Sequence, residues 1–234
     1  MKLAPAFAPM SPFLDRAMAG HALGALLANY RDRADVLVLG LPRGGVPVAM
    51  ELAETLHAPL DVMVVRKLGM PGQPALAIGA LASGGIIVIT DGILAARESP
   101  ATLQAEIARQ RVELQRCEAL YRNDRLPVDV SGRVVILVDD GAMTGAKMRA
   151  AIRAVRKFDA KRVVVALPVA NSNSFLVLRD EADEVACLLT SADFDSVGGW
   201  YQAFEHTTDA EVAARLARVW ERNHRTVGTL RRAS

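Results

Sequence analysis

Two adjacent carboxylates, Asp139 and Asp140, stand where the apolar run Val134 to Val138 gives way to a glycine-containing turn and then to a helical pattern. Acids at the carboxyl end of a buried strand face the crevice in which open α/β sheets take small ligands. The turn after them ends in Met143, Thr144, Gly145, Ala146 and Lys147. Its threonine hydroxyl and backbone N–H groups lie at a helix N-terminus, where orphan donors and the helix dipole favour a phosphate. An acid pair beside a phosphate cradle suits a phosphorylated polyol, because carboxylates accept hydrogen bonds from hydroxyls or from magnesium-bound water while the loop holds the phosphate. A ribose phosphate meets that description.

Two other strand ends carry chemistry. In LPRGGVPVAMELAETL, residues 41–56, Arg43 stands at the end of an apolar run, Gly44 and Gly45 allow a ligand to approach the backbone, and Pro47 fits the first turn of a helix. In VVRKLGMPGQPALAIGAL, residues 64–81, Arg66 and Lys67 directly follow an apolar run and precede Gly69 to Pro74, which reads as a mobile loop and a lid. Cations at such a place can stabilise the charge that grows on a departing pyrophosphate. The same pair by itself would be a solvated edge, and only its company promotes it.

The elements that must position these residues follow from periodicity. The runs at 35–41, 60–65, 133–138 and 162–169 are nearly continuous apolar segments, as strands are when helices cover both sheet faces, which predicts parallel strands. Val48, Ala49, Leu52, Ala53 and Leu56 recur at helical spacing, as do Met148, Ile152 and Val155. The segments 76–82 and 85–90 flank Ser83, Gly84 and Gly85 and predict a hairpin or sharp bend beside the main sheet. A long helix should open at Ser99 and Pro100 and bury Leu103, Ile107, Leu114, Cys117 and Tyr121. A leading helix is expected to carry Leu14, Met18, Leu26 and Tyr30. A closing one should begin near Thr208, whose spacing to Glu211 fits a capping box, and turn Val212, Leu216 and Val219 inward.

Composition limits the function classes. With 234 residues and 51% hydrophobic content, the chain can bury roughly 70% of its unfolded surface without a metal or disulfide. A net charge of +2 supplies no broad basic field, so nucleic acid is not expected as a partner. Cys117 and Cys187 show no ligand or disulfide spacing, and no apolar run reaches membrane-helix length, so a reducing, cytoplasmic setting without a membrane partner is expected. Residues 1–12 read as a loose tail and 13–234 as one unit, with a core at about 35–190 and a hood from 13–30 and 191–222.

The apolar strand, the acid pair and the turn with Thr144-Gly145 resemble the signature of the type I phosphoribosyltransferase family. PRGGVPVA, VVRKLG and VDDGAMTGAKMRAAIRA are together similar to a branch of that family without a characterised activity, and the similarity runs from FLDRAMAG (13–20) to SVGGWYQAFEHTTDAEV (196–212). The resemblance implies a Rossmann-like α/β fold, with an open, mainly parallel twisted sheet flanked by helices and a small hood and β-hairpin. It implies a magnesium-dependent transfer of ribose 5-phosphate from phosphoribosyl pyrophosphate to a nitrogenous base or related acceptor, and usually a homodimer. By the same resemblance Asp139 and Asp140 engage the ribose hydroxyls and the magnesium, residues 143 to 147 hold the 5′-phosphate, and Arg43, Gly44 and Gly45 form the pyrophosphate loop; Arg43 and Lys67 are expected to receive the pyrophosphate, Arg66 to bind the substrate, and Asp139, Asp140 and Lys67 to be the catalytic residues. Three positions depart from the family pattern: Lys147 replaces a Thr or Ser, Met143 offers no proton, and Ala75 stands where the branch tends to have Glu.

Trp200, Tyr201 and Phe204 could stack on a flat base or pack the closing helix, and the sequence leaves both open. His206 near Asp193, Asp195 and Glu205 lacks metal-ligand spacing. Arg149, Arg153, Arg156 and Lys157 read as a solvated face. The alternative function is a regulatory protein that binds phosphoribosyl pyrophosphate or a nucleotide without turnover. A dinucleotide oxidoreductase is disfavoured, since no GxGxxG follows the first strand.

Overall fold

β-Branched and leucine-rich runs that are buried at every position need cover on both faces, and the computed structural model supplies it. It describes residues 12–70, 73–89, 99–123 and 125–230. In chain order the elements are α1 (Arg16–Leu26), β1 (Val36–Gly40), α2 (Gly45–Leu56), β2 (Leu60–Val62), β3 (Val65–Met70), β4 (Gln73–Ala82), β5 (Ile86–Ile89), α3 (Pro100–Arg122), β6 (Val134–Val138), α4 (Ala146–Lys157), β7 (Arg162–Asn171), α5 (Ser172–Glu181), β8 (Glu184–Ser191) and α6 (Asp209–Leu230). The main sheet is parallel in the order β2-β1-β6-β7-β8, and β3, β4 and β5 form a separate antiparallel sheet.

Strand alternation divides the interior in two. Val36, Val38, Ile136 and Val164 point to the side packed by α1, α2, α3 and α6. Leu37, Leu39, Leu137 and Val165 point to the side packed by α4, α5 and the hairpin sheet. Truncating a side chain such as Leu137, which is fully buried, would cost about 2–5 kcal/mol.

The order of strands places the ligand crevice. From β1 the chain passes through α2 to β2 on one side, and from β6 it passes through α4 to β7 on the other. Neighbours β1 and β6 therefore form the switch point of the sheet, where the crevice outside their carboxyl ends opens. Leu41 N–H donates to the Val138 carbonyl at 2.8 Å, which continues the pairing up to the acid pair.

Several elements follow the sequence pattern. Ser99 caps α3 by accepting from Thr102 N–H, with Pro100 in the first turn. Thr208 and Glu211 form a reciprocal capping box, with Thr208 N–H 2.7 Å from Glu211 Oε2 and Glu211 N–H 3.2 Å from Thr208 Oγ1. The 76–82 and 85–90 segments meet as the β4–β5 hairpin around Ser83–Gly85, with position 90 outside the described residues.

Others differ. The run 60–65 is not one strand: β2 ends at Val62 and β3 begins at Val65, turning into the hairpin sheet. The expected loop Gly69 to Pro74 is largely strand, since Gly69 and Met70 belong to β3 and Gln73 and Pro74 to β4, while positions 71 and 72 lie outside the described residues. β8 was not anticipated, because as an edge strand it is only half-buried and carries Glu184, Thr190 and Ser191. On α1 the buried positions are Ala19, Gly20, Leu23 and Gly24, whereas Leu14 and Met18 before and within it and Leu26 are exposed. Close packing on α2 explains the reversal: a Cβ on Gly20 would stand 2.5 Å from the Val48 carbonyl oxygen, and one on Gly24 would stand 2.6 Å from Thr55 Cβ. Small residues, not large ones, make that contact. The arginines of α4 are likewise not merely solvated, since Arg149 and Arg153 pair with Glu181 at 2.7 and 3.1 Å and Arg156 with Asp183 at 3.3 Å.

The chain's first described segment pairs with residues 200–203. Phe13 N–H donates to the Trp200 carbonyl, Gln202 N–H to the Phe13 carbonyl and Ala203 N–H to the Leu14 carbonyl at 3.2, 2.9 and 2.8 Å. Phe13, Ala19, Phe194 and Tyr201 close a small core of their own over Val169 at the end of β7. Of the expected tail, residues 1–11 lie outside the described residues.

Candidate functional site

Val138 closes β6 and puts Asp139 and Asp140 at the switch point. Asp139 is buried, and Lys147 Nζ lies 3.0 Å from its Oδ2 and 3.1 Å from its Oδ1. Burial pushes the Asp139 carboxyl up to about 7, with the Asp140 charge adding to the rise and the Lys147 ammonium opposing it. Lys147 Nζ also reaches the Leu41 carbonyl at 3.3 Å. The ammonium that stands in place of a family hydroxyl therefore ties the ends of β1 and β6 together through Asp139.

Asp140 is held from the N-terminal segment. Arg16 Nε and Nη2 donate to its Oδ2 at 3.0 and 2.9 Å, and Arg16 Nη1 donates to the Glu205 carbonyl at 2.8 Å. The guanidinium lies 3.8 Å from the Phe204 ring centroid. Tyr201 OH donates to the Asp140 carbonyl at 2.6 Å. Neither Arg16 nor this tyrosine contact was visible as a site feature in the sequence, because partners 124 and 61 residues apart are joined only by folding.

The loop after β1 approaches the acids so closely that side chains are excluded. A Cβ on Gly44 would stand 1.8 Å from Asp140 Oδ2, and one on Gly45 would stand 2.6 Å from the Val138 carbonyl oxygen. The Pro42–Arg43 peptide bond is cis. Arg43 points toward α6, with Nη2 3.1 Å from His206 Nε2 and Nη1 3.8 Å from Asp209 Oδ1. His206 thus faces a guanidinium. Among the described residues no group of three or more His, Cys, Asp or Glu side chains is placed to hold a metal.

The turn after the acids borders an open cavity of about 110 Å³ lined by Asp139, Met143, Thr144, Gly145, Ala146 and Lys147 among others. Ala142 is pinned to the extension of β7, accepting from Asn171 N–H at 2.8 Å and donating to the Val169 carbonyl at 3.0 Å. Gly145 adopts φ 69° at the N-cap of α4, a left-handed conformation suited to glycine, and brings no capping side chain to the helix. Buried Ser174 on α5 donates its hydroxyl to the Met143 carbonyl at 2.6 Å, while the Met143 side chain is half-exposed. Ser174 is thus a support of the cradle, a role that lacked any local motif.

The cations after β2 separate. Arg66 donates Nε to Gln110 Oε1 at 3.2 Å and lines a cavity of about 560 Å³ with Arg43 and Arg116. Lys67 is exposed and, by strand alternation, on the opposite face of β3, so it does not join Arg66. Tyr201 is buried between Phe13 and Phe204, with ring centroids 5.5 and 5.2 Å away, and so packs the hood and braces the acid pair. Trp200 stacks on Phe194 at 5.8 Å. Of the three aromatics, Phe204 is the one turned outward, beside Arg16, Arg43 and Gly44 in a cavity of about 300 Å³. Ala75 lies in the part of β4 whose side chains are outside the described ones.

The arrangement can hold a sugar at a carboxylate pair, a phosphate in a glycine turn and further negative charge beside arginines. Comparison with known proteins gives the family. Residues 15–199 match the family model described as phosphoribosyl transferase domain. Two curated proteins of Mycobacterium tuberculosis, from strains CDC 1551 / Oshkosh and ATCC 25618 / H37Rv, both carry the name "Putative phosphoribosyl transferase". Each is 44% identical over 210 residues, which is 89% of this chain and 47% of the relative. The chain therefore spans about half the length of the curated relatives it matches. The crystal structure of TT1426 from Thermus thermophilus is 43% identical, with a TM-score of 0.74 over 87% of this chain and 97% of that one. Among the described residues no helix is long and apolar enough to cross a membrane.

Proposed function

We propose a reaction for this chain from one premise, that it belongs to the phosphoribosyl transferase domain family: it transfers ribose 5-phosphate from phosphoribosyl pyrophosphate to a nitrogenous acceptor. In that reaction the bond from C1 to the diphosphate oxygen breaks, a bond from C1 to the acceptor nitrogen forms, and diphosphate leaves. The observation that carries the reading is the approach of Gly44 to Asp140, at which a single methyl group would already collide. A loop that close to an acid pair, beside the cavity of the 143–147 turn, supports a ligand bound by backbone on one side and by carboxylates on the other.

Asp139 and Asp140 are assigned to the ribose hydroxyls. The turn 143–147 is assigned to the 5′-phosphate, with Thr144 and the first N–H groups of α4 as donors. Arg43, with the backbone of Gly44 and Gly45, is assigned to the diphosphate, and Arg66 to the same end of the substrate. Lys67 would join them only through a change in the hairpin. The acceptor is assigned to the side of the hood, where Phe204 presents its ring. Catalysis in such a site is positioning together with electrostatic stabilisation of the leaving charge.

Magnesium fits this donor set. Two carboxylates and no third protein ligand suit an ion held mainly by substrate oxygens, with Asp139 and Asp140 holding it directly or through water. When bound, it would supply charge neutralisation at the diphosphate.

Isothermal titration with phosphoribosyl pyrophosphate and magnesium tests the proposal, with binding abolished by Asp140→Asn as the expected result. No binding to the unaltered chain overturns it. One observation favours the non-catalytic alternative: both acids are already neutralised, Asp139 by Lys147 and Asp140 by Arg16. Steady release of pyrophosphate with a panel of bases separates the two, since a regulatory protein would bind without release.

A further inference from the structure

The 560 Å³ cavity beside the strand-end loop is bounded by Pro42 and Arg43, by Arg66 on β3, by Arg116 and Tyr121 on α3, and by Asp209 in the first turn of α6. Three guanidiniums from three different elements converge there. Two of them share one carboxylate. Arg116 Nη2 lies 2.9 Å from Asp209 Oδ2, Arg43 Nη1 lies 3.8 Å from Asp209 Oδ1, and Tyr121 OH donates to Asp209 Oδ1 at 2.7 Å. Glu113, which also lines the cavity, takes the Arg116 fork, with Nε and Nη2 at 2.9 and 2.8 Å from its two oxygens. A carboxylate held by one Arg116 nitrogen, a more distant Arg43 and a phenol offers two oxygens to donors that a phosphate group would use.

Resting on the transferase reaction proposed above, we propose that Arg116 is a second diphosphate-binding arginine and that Asp209 is its internal competitor, occupying the Arg43 and Arg116 guanidiniums until diphosphate oxygens take them. Arg43 belongs to the loop already assigned to the diphosphate, and Arg116 borders the same cavity from α3. A diphosphate held by both must displace Asp209 from them and then repels it. Because Asp209 opens α6, the exchange also loosens the start of that helix from the loop. Filling of the diphosphate site and seating of the hood are thereby coupled, with opposite preferences for the same two guanidiniums.

The two substitutions have opposite signs. Arg116→Gln removes a charge-assisted donor and is expected to weaken magnesium pyrophosphate binding by about tenfold, whereas Asp209→Asn removes the competing charge and is expected to tighten it by about fivefold. Ribose 5-phosphate, which lacks the diphosphate, should bind both variants as it binds the unaltered chain. Titration calorimetry on the full chain with these two probes reads all four values. If Asp209 were only a tie between α6 and α3, Asp209→Asn would leave pyrophosphate affinity unchanged or weaken it, and either result overturns the proposal. An unchanged affinity in Arg116→Gln overturns it too. Should that variant fail to fold, Arg116→Lys keeps the charge without the fork and is expected to bind pyrophosphate less tightly than the parent, and parental affinity there counts against the assignment. Phosphoribosyl pyrophosphate binding by the unaltered chain is read separately. Its absence sinks the transferase reaction, whereas its presence alongside unmoved variants sinks only the role of Arg116 and Asp209.

Discussion

Arg16 places Nε and Nη2 at 3.0 and 2.9 Å from one oxygen of Asp140, so an acid at the end of the central strand is held by the N-terminal segment. Both side chains are largely buried, and the guanidinium is further committed to the Glu205 carbonyl and the Phe204 ring. Arg16→Met would leave Asp140 partly buried without its counter-charge. Loss of about 2 kcal/mol of stability is expected, within the range for hydrogen bonds to charged groups, and a urea unfolding midpoint equal to the parent's would refute it.

Gly44→Ala tests the closeness of the loop to the acids. The new methyl group would lie 1.8 Å from Asp140 Oδ2, so the loop or the acid must move. A destabilisation of about 1–3 kcal/mol is expected from the overpacking, with phosphoribosyl pyrophosphate binding reduced at least tenfold. Gly199→Ala is the contrast, since a Cβ there would meet nothing nearer than Ser196 Oγ at 3.6 Å. Equal effects from the two substitutions would show that proximity to Asp140 is not what Gly44 protects.

Lys147 and Asp139 set a pH dependence. Asp139 titrates near 7 because burial disfavours its charge, so its carboxylate, the form that accepts hydroxyl hydrogen bonds, prevails only above that pH. Affinity for phosphoribosyl pyrophosphate should therefore fall as pH drops through 7. Lys147 opposes the rise, and Lys147→Met should move the inflection to higher pH. For stability the sign is reversed: the folded state bears the cost of the buried charge above pH 7, and that cost disappears as pH falls toward the ordinary carboxylate range. Titrations from pH 6 to 9 showing one inflection for both proteins would remove Asp139 from the account.

The acid pair and its turn were legible because their chemistry lies in one contiguous stretch, Val134 to Lys147, where strand, acids, glycine and helix start follow in order. The continuous runs of β1, β6 and β7 were legible for a related reason, since helices on both faces leave no polar position to confuse the period. Arg16, Arg116, Tyr121, Ser174 and Asp209 were not. Each acts on a partner that only the fold brings near, and an arginine on a helix looks the same whether it meets water or Asp209. The opposite faces of Arg66 and Lys67 follow from strand alternation within β3, a strand that the glycines and prolines after it disguise as the start of a loop. The buried face of α1 was concealed because glycine and alanine, which carry little hydropathic signal, make its contact with α2.

Ser174 provides a test of how the cradle is held. Its hydroxyl donates to the Met143 carbonyl at 2.6 Å from behind the turn and does not line the cavity, so it acts by fixing the turn. Ser174→Ala leaves a carbonyl beside the cavity without this partner, at a cost of about 1 kcal/mol in stability. A purely structural role would end there. If the hydroxyl orients residues 143 to 147, inorganic phosphate and ribose 5-phosphate should bind several-fold more weakly, while pyrophosphate, assigned to the Arg43 side, should bind as before. Ser174→Thr, which keeps the hydroxyl, should restore phosphate binding wherever the extra methyl group is accommodated. Equal losses for ribose 5-phosphate and pyrophosphate in the alanine variant would show that the contact supports the sheet end as a whole and not the turn.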